Sequence, residues 1–125
     1  MVSSESPAHP EILLLAAGRG RWRELRQVIA EWDMLNADVP SRVQLQQSFA
    51  ILLGSKLIEA DDKGRFRVTR AGKRLLDDRQ LRSLRPRARP LVLMGELANH
   101  LQTPAPYILD DDKYRAAVDA YVGHF

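Results

Sequence analysis

The sequence contains no cysteine, and this absence excludes disulfide bonds, a thiolate nucleophile and zinc held by cysteine. It also lacks a long apolar run, since residues 12–17 fall far short of the roughly 20 apolar residues that a membrane-spanning helix requires. The first residues, MVSSESPAHPE, have no basic region followed by an apolar core, which a secretory signal needs. We therefore expect a cytoplasmic protein that does not associate with a membrane.

Residue patterns typical of catalysis or metal binding are also missing. His9, His100 and His124 are scattered, and the sequence has no His-x-x-x-His or Glu-x-x-His pair that could hold a metal. No Gly-x-Ser-x-Gly segment offers a nucleophile. Residues 110–112, all aspartate, suit a helix N-terminus better than a calcium-binding loop. Residues 18–20, Gly-Arg-Gly, suit a loop between helices better than a phosphate-binding loop. We expect no catalytic residue, no metal site and no cofactor.

The charge of the chain is small overall but unevenly distributed. The formal net charge is +3, yet ten of the 19 Lys and Arg residues lie within residues 64–89 beside only two of the 16 acidic residues. The ten are Arg65, Arg67, Arg70, Lys73, Arg74, Arg79, Arg82, Arg85, Arg87 and Arg89. Such a concentration is either a surface that attracts phosphate or an arginine-rich solvated face.

Residues 41–76 carry the clearest succession of local signals. Ser41 suits the N-cap of a helix that ends near Gly54, and two short β-prone runs then flank an Asp-Asp-Lys-Gly turn. The pattern predicts a hairpin between Leu57 and Val68. Thr69 suits the N-cap of a further helix over residues 69–84.

This order of helix, hairpin and helix resembles the winged helix-turn-helix domain. The segment LLGSKLIEADDKGRFRVTRAGKRLL is similar to the wing of bacterial regulators of the multiple-antibiotic-resistance and phenolic-acid-response types. The matching positions are Leu52, Leu53, Gly54, Leu57, Ile58, Phe66, Thr69 and Gly72. The resemblance covers roughly residues 10–80 and implies a mainly α fold with a small two-stranded antiparallel β-wing (α+β), followed by C-terminal helices.

The hydrophobic pattern predicts helices before the wing, over residues 10–17 and 22–35, with Trp22 and Trp32 directed into the core. The helix after them would read DNA from its N-terminal part. Its candidate base-reading side chains are Arg42, Gln44, Gln46 and Gln47. The outer face of this helix also carries Val43, Ala50 and Ile51, which predicts that the C-terminal segment or a second protomer packs there.

The chain is expected to divide into four parts. Residues 1–9 form a disordered tail, residues 10–84 a winged-helix domain, and residues 85–90 a linker of alternating Arg and Pro. This linker either follows a phosphate backbone or is a solvated spacer. Residues 91–125 form helices that complete the core or mediate dimerisation. Tyr114, Val118 and Tyr121 share one face of the last helix, which ends near Phe125, and are candidate contacts for a partner.

Two functions follow from these observations. The first is a small bacterial regulator of transcription, a homodimer that binds double-stranded DNA. Lys63, Arg65 and Arg67 would contact phosphates or the minor groove, and Arg70 is a further DNA-binding residue. The second is a winged-helix module that binds a protein partner through the strip of Val43, Ala50 and Ile51. Fold alone does not decide between them.

Overall fold

In the computed structural model, which describes residues 7–18 and 20–123, helices surround a small antiparallel sheet. The helices are α1 (Pro10–Ala17), α2 (Leu25–Asn36), α3 (Arg42–Gly54), α4 (Arg70–Leu76), α5 (Arg79–Ser83), α6 (Arg89–Leu97) and α7 (Asp111–Val122), and the strands are β1 (Ile58–Ala60) and β2 (Phe66–Val68). The expected mainly helical α+β composition with a two-stranded sheet is confirmed. Six residues of the predicted tail, Arg19 of the predicted loop, His124 and Phe125 lie outside the described residues.

The predicted hairpin is present. Strands β1 and β2 pair antiparallel, with Ile58 opposite Val68. The turn between them is held by Asp61, whose Oδ1 accepts hydrogen bonds from the backbone N–H groups of Lys63 (3.0 Å) and Arg65 (2.7 Å). A short carboxylate side chain thereby satisfies turn amides that have no partner in the strand ladder.

The segment before α2 pairs with the hairpin instead of starting the helix. The N–H of Arg23 donates to the Phe66 carbonyl (2.7 Å), and the N–H of Phe66 donates to the Arg23 carbonyl (2.8 Å). Helix α2 begins only at Leu25, so the prediction that Trp22 lies on this helix and points into the core is wrong. Trp32 is completely buried, as predicted.

Helix α3 has the predicted bounds and the predicted cap. The Ser41 hydroxyl accepts a hydrogen bond from the Gln44 N–H (3.1 Å), and the Gln44 side chain accepts one from the Ser41 N–H, which is a capping box. Phe49 on the inner face of α3 stacks against Phe66 of the hairpin, with ring centroids 4.1 Å apart. This contact joins the helix to the sheet.

The predicted single helix over residues 69–84 is wrong, because the chain breaks it in two. Thr69 caps α4 as expected, but α4 ends before Asp77. The carboxylate of Asp78 then accepts two backbone N–H groups of α5. Asp78 is therefore an N-cap, which favours a new helix start over continuation of α4.

The segment predicted as an irregular linker is also largely helical. Pro86–Ala88 form a 3₁₀ turn, and α6 begins at Arg89 with Pro90 in its first turn. Proline is tolerated there because first-turn residues have no intrahelical use for an N–H group. The Arg89 guanidinium folds back and donates to the Leu84 carbonyl (3.1 Å). The linker is thus fixed to the helices that it joins.

The C-terminal part packs against the rest of the chain. Residues 101–110, here called the strap, run without helix or strand from the end of α6 to α7. Helix α7 lies against α2, where the Tyr121 hydroxyl donates to the Asp33 carboxylate (2.5 Å). The Tyr114 hydroxyl donates to the Pro40 carbonyl (2.7 Å). Helices α6 and α7 both contribute to the same buried cluster as the N-terminal helices.

Candidate nucleic-acid interface

The strap lies along the outer face of α3. The Ala105 N–H donates to the Ala50 carbonyl (2.9 Å), and the Leu109 N–H donates to the Gln46 Oε1 (2.8 Å). Gly54 lies where the strap first reaches the helix, and its missing side chain lets the two backbones approach closely. The surface that sequence analysis assigned to base reading is therefore partly covered by the chain itself.

Three of the four candidate base readers use their polar groups within the chain. Gln44 is only 5% exposed, and its amide donates to the Pro7 carbonyl (3.0 Å) in addition to capping α3 at Ser41. Gln46 holds the strap and also accepts a hydrogen bond from the guanidinium of Arg42 (3.2 Å). Arg42 itself donates to a strap carbonyl (3.4 Å). These groups would have to break internal hydrogen bonds before they could contact bases.

Gln47 is the exception among the predicted base readers, since it is exposed. The predicted apolar strip is half-buried at Val43, Ala50 and Ile51. The Ala50 carbonyl is bound by the strap, which supports the expectation that the C-terminal segment packs on this face. The accessible part of α3 is thus narrow and largely apolar.

The two hairpin arginines are paired with carboxylates. Arg67 forms an ion pair with Glu59, directly opposite on β1, and the Arg65 Nε lies 2.7 Å from the Asp61 Oδ2. Both guanidinium groups also face the Trp22 ring, at 4.3 Å for Arg67 and 5.7 Å for Arg65. Burial acts to raise the pKa of Asp61, but hydrogen bonds from Arg65 outweigh it, and the pKa lies below its ordinary value. Both hairpin arginines therefore already have a carboxylate partner within the chain.

The predicted partner contacts on α7 are used inside the chain. Tyr121 is buried against α2, and its hydrogen bond to Asp33 raises the pKa of the Tyr121 phenol. Burial, followed by the nearby Asp111 carboxylate, raises the pKa of Tyr114. Val118 is half-buried on the same face. This face of α7 packs on the protein's own core.

Basic side chains with no carboxylate partner are concentrated after the hairpin. Within the part of the chain that the structure describes, their side chains form no hydrogen bond or ion pair. All are exposed except Lys73, which is half-buried. We call them the basic surface: Arg70, Lys73, Arg74, Arg79, Arg82, Arg85 and Arg87. Lys63 on the hairpin turn is also exposed.

The helices after the hairpin direct these side chains outward. Arg70, Lys73 and Arg74 are three and four residues apart, so they share one face of α4. Arg79 and Arg82 share one face of α5 for the same reason. The inner faces of both helices are fixed by buried leucines. The arginines are therefore held outward by helices that pack on the core.

Of the basic surface, sequence analysis assigned only Arg70 to the DNA site. The signal for the others was the excess of positive charge within residues 64–89. The sequence could not show which arginines pair with carboxylates, because the Glu59–Arg67 pair depends on the strand register. The structure separates paired arginines on the hairpin from unpaired ones on α4, α5 and the 3₁₀ turn.

Comparison with known proteins finds no matching family model, no matching curated protein and no matching solved structure. No group of histidine and acidic residues among the described residues could hold a metal ion. Within the same residues, no helix is both long and apolar enough to cross a bilayer. The charges and contacts of the described residues therefore carry the functional proposal.

Proposed function

We propose that this chain is a winged-helix protein that binds double-stranded DNA through the basic surface. The order of its elements supports the winged-helix assignment: α1, a short pairing segment at Arg23, α2, α3 and then the hairpin. The pairing of Arg23 with Phe66 gives the hairpin a third, one-residue strand. Fold does not establish function, so the DNA assignment depends on the surface charge.

The observation that carries the proposal is the difference between the two sets of arginines. Arg65 and Arg67 have carboxylate partners, whereas the basic surface has none within the described residues. The concentration of unpaired positive charge within residues 70–87 favours a polyanionic partner. Duplex DNA presents a negative charge about every 1.7 Å along its axis, and neutralising phosphates releases counterions. Binding should therefore weaken steeply as salt is added.

The proposal is tested by fluorescence anisotropy with a labelled duplex of mixed sequence, at about 50 mM and about 200 mM salt. Wild-type protein should bind at the lower concentration and weaken at the higher one. The variant Arg74→Ala/Arg82→Ala should bind less tightly, and the slope of log K against log salt should decrease by about 1.8, the value for two lost phosphate contacts. Absence of binding at low salt would contradict the proposal.

The matched control is Arg26→Ala/Arg115→Ala. It removes the same number of positive charges from two arginines that already have carboxylate partners, Glu24 and Asp111. It should bind DNA nearly as tightly as wild type. An equal loss in the two double variants would mean that net charge alone, and not the basic surface, determines the affinity.

A second candidate function, association with another copy of the chain, is favoured by the outer face of α6. Leu91 is 71% exposed and Met94 48% exposed, and both lie on one side of the helix with Gly95. Contiguous exposed apolar side chains are typical of protein interfaces. A homodimer would bury them, whereas the face of α7 that sequence analysis proposed is already occupied.

Light scattering after size-exclusion chromatography tests this second candidate. Wild-type protein should be dimeric, and Leu91→Glu/Met94→Glu should be monomeric. The control Ile108→Glu introduces one glutamate at an exposed apolar residue of the strap and should leave the dimer intact. Monomeric wild-type protein at every concentration would contradict this candidate.

A further inference from the structure

We infer that this protein binds duplex DNA through its phosphates without reading the base sequence, because the strap occupies the face of α3 that would read it. The inference rests on the proposed DNA-binding function and specifies its partner, which is any duplex of ordinary geometry. Base readout requires side chains that reach base edges, whereas phosphate contacts carry no sequence information. The accessible part of α3 decides whether this helix can read bases.

The strap follows one complete stripe of α3. Arg42, Gln46, Ala50 and Gly54 are spaced four residues apart and share one face of the helix. Leu109 of the strap contacts the first two, and Ala105 binds the third. A side-chain carbon on Gly54 would lie 2.7 Å from the Ala105 nitrogen. The covering therefore extends over the whole length of the helix.

The strap is part of the core and is not a loose cover. The Tyr107 ring lies 5.4 Å from the Phe49 ring and 6.2 Å from the Phe66 ring, measured between centroids. Leu109 is buried. The far end of the strap is fixed by α7, whose Tyr114 hydroxyl binds the Pro40 carbonyl. Exposing the stripe would require breaking all of these contacts.

Gln47 is the one polar side chain of α3 that is fully exposed, because Arg42 and Gln46 are half-buried beside the strap. Gln47 is exposed between the half-buried side chains of Val43 and Ile51. One glutamine with good bidentate geometry discriminates at one base pair by about 5- to 150-fold, whereas proteins that recognise operators bind them about 10³- to 10⁷-fold better than other DNA. Base reading by α3 should therefore give this protein less than roughly 150-fold preference for any particular duplex.

The experiment has two parts. Wild-type protein is used to select from a duplex pool of randomised sequence over several rounds, and the selected and unselected pools then compete against one labelled duplex in anisotropy. We expect no enriched motif and competitor affinities within a few-fold of one another. Gln47→Ala should bind the mixed pool with affinity within about twofold of wild type, while Arg74→Ala/Arg82→Ala should bind it less tightly.

The outcomes separate the inference from the proposed function. An enriched motif that binds more than about 150-fold better than its scrambled version would overturn the inference and leave DNA binding itself intact. Failure to bind any duplex would overturn the proposed function, and the inference with it. Comparable competition by all duplexes, with loss of affinity confined to the basic-surface variant, supports both.

Discussion

Docking of the strap on α3 can be tested by adding one methyl group at Gly54. In the Gly54→Ala variant the new carbon would lie 2.7 Å from the Ala105 nitrogen and closer still to the Thr103 carbonyl oxygen. Both atoms belong to the backbone, so the strap cannot yield by rotating a side chain. It has to move away from α3.

The size of the effect follows from two opposing terms. Replacing glycine by alanine in a helix contributes up to about 1 kcal/mol of stability, less at a terminal position. Overpacking costs about 1–3 kcal/mol, and displacing the strap weakens the hydrogen bond between Ala105 and Ala50, worth about 1 kcal/mol. The free energy of unfolding should therefore fall by roughly 1–3 kcal/mol.

Gly95→Ala is the matched control because it is the same chemical change on another helix. Nothing lies within 4 Å of the position that its new carbon would occupy. Only the helix-propensity term applies, so the free energy of unfolding should rise by about 0.5–1 kcal/mol. The two variants thus have opposite predicted signs.

Urea denaturation followed by the fluorescence of the buried Trp32 measures both changes. A Gly54→Ala protein as stable as wild type, together with a stabilised Gly95→Ala protein, would refute the contact between the strap and α3. The inference about base reading would then lose its basis.

Three further predictions concern pH, salt and the hairpin. Burial raises the pKa of Tyr107 to about 12, above the ordinary value near 10, so the neutral phenol stabilises the fold. This contribution to the free energy of unfolding is complete below about pH 10 and is lost as pH rises through about 12. Urea denaturation at several pH values should show this loss in wild type and not in Tyr107→Phe. Because the basic surface adds unpaired charge to a chain that is already positive, and salt screens repulsion between like charges, added salt should raise the Tm of wild type by more than that of Arg74→Ala/Arg82→Ala in thermal denaturation; equal shifts would contradict this. Trp22→Ala removes the ring that faces Arg65 and Arg67 and should lower the free energy of unfolding by about 1–2 kcal/mol in the same urea assay, whereas an unchanged value would mean that these contacts contribute nothing.

Local sequence signals predicted much of the fold. Ser41 and Thr69 each cap the helix expected to follow them, and the predicted aspartate run at residues 110–112 supplies the cap of α7 through Asp110. The hydroxyl or carboxylate oxygens of these residues bind amides only a few residues away. The hairpin was predictable because its turn residues and β-prone strands are adjacent in the chain. Asp78 carried the same kind of local signal for the start of α5 and was missed.

Contacts between distant residues account for the remaining errors. Trp22 continues the apolar spacing of α2, but pairing of Arg23 with Phe66, more than forty residues later, keeps this segment out of the helix. The covering of α3 depends on Ala105 and Leu109, whose contacts no local pattern specifies. The apolar outer strip of α3 predicts that another segment or a second protomer packs on it. No local pattern identifies residues 101–110 as the segment that packs on this face.

The central claim is that DNA contacts the basic surface and not the face of α3. Amide chemical shifts of ¹⁵N-labelled protein titrated with a mixed-sequence duplex test it directly, because they report the contact residue by residue. The account predicts the largest shifts within residues 70–87, with the α3 stripe and the strap nearly unchanged. Large shifts in α3 and the strap, with residues 70–87 unchanged, would contradict it.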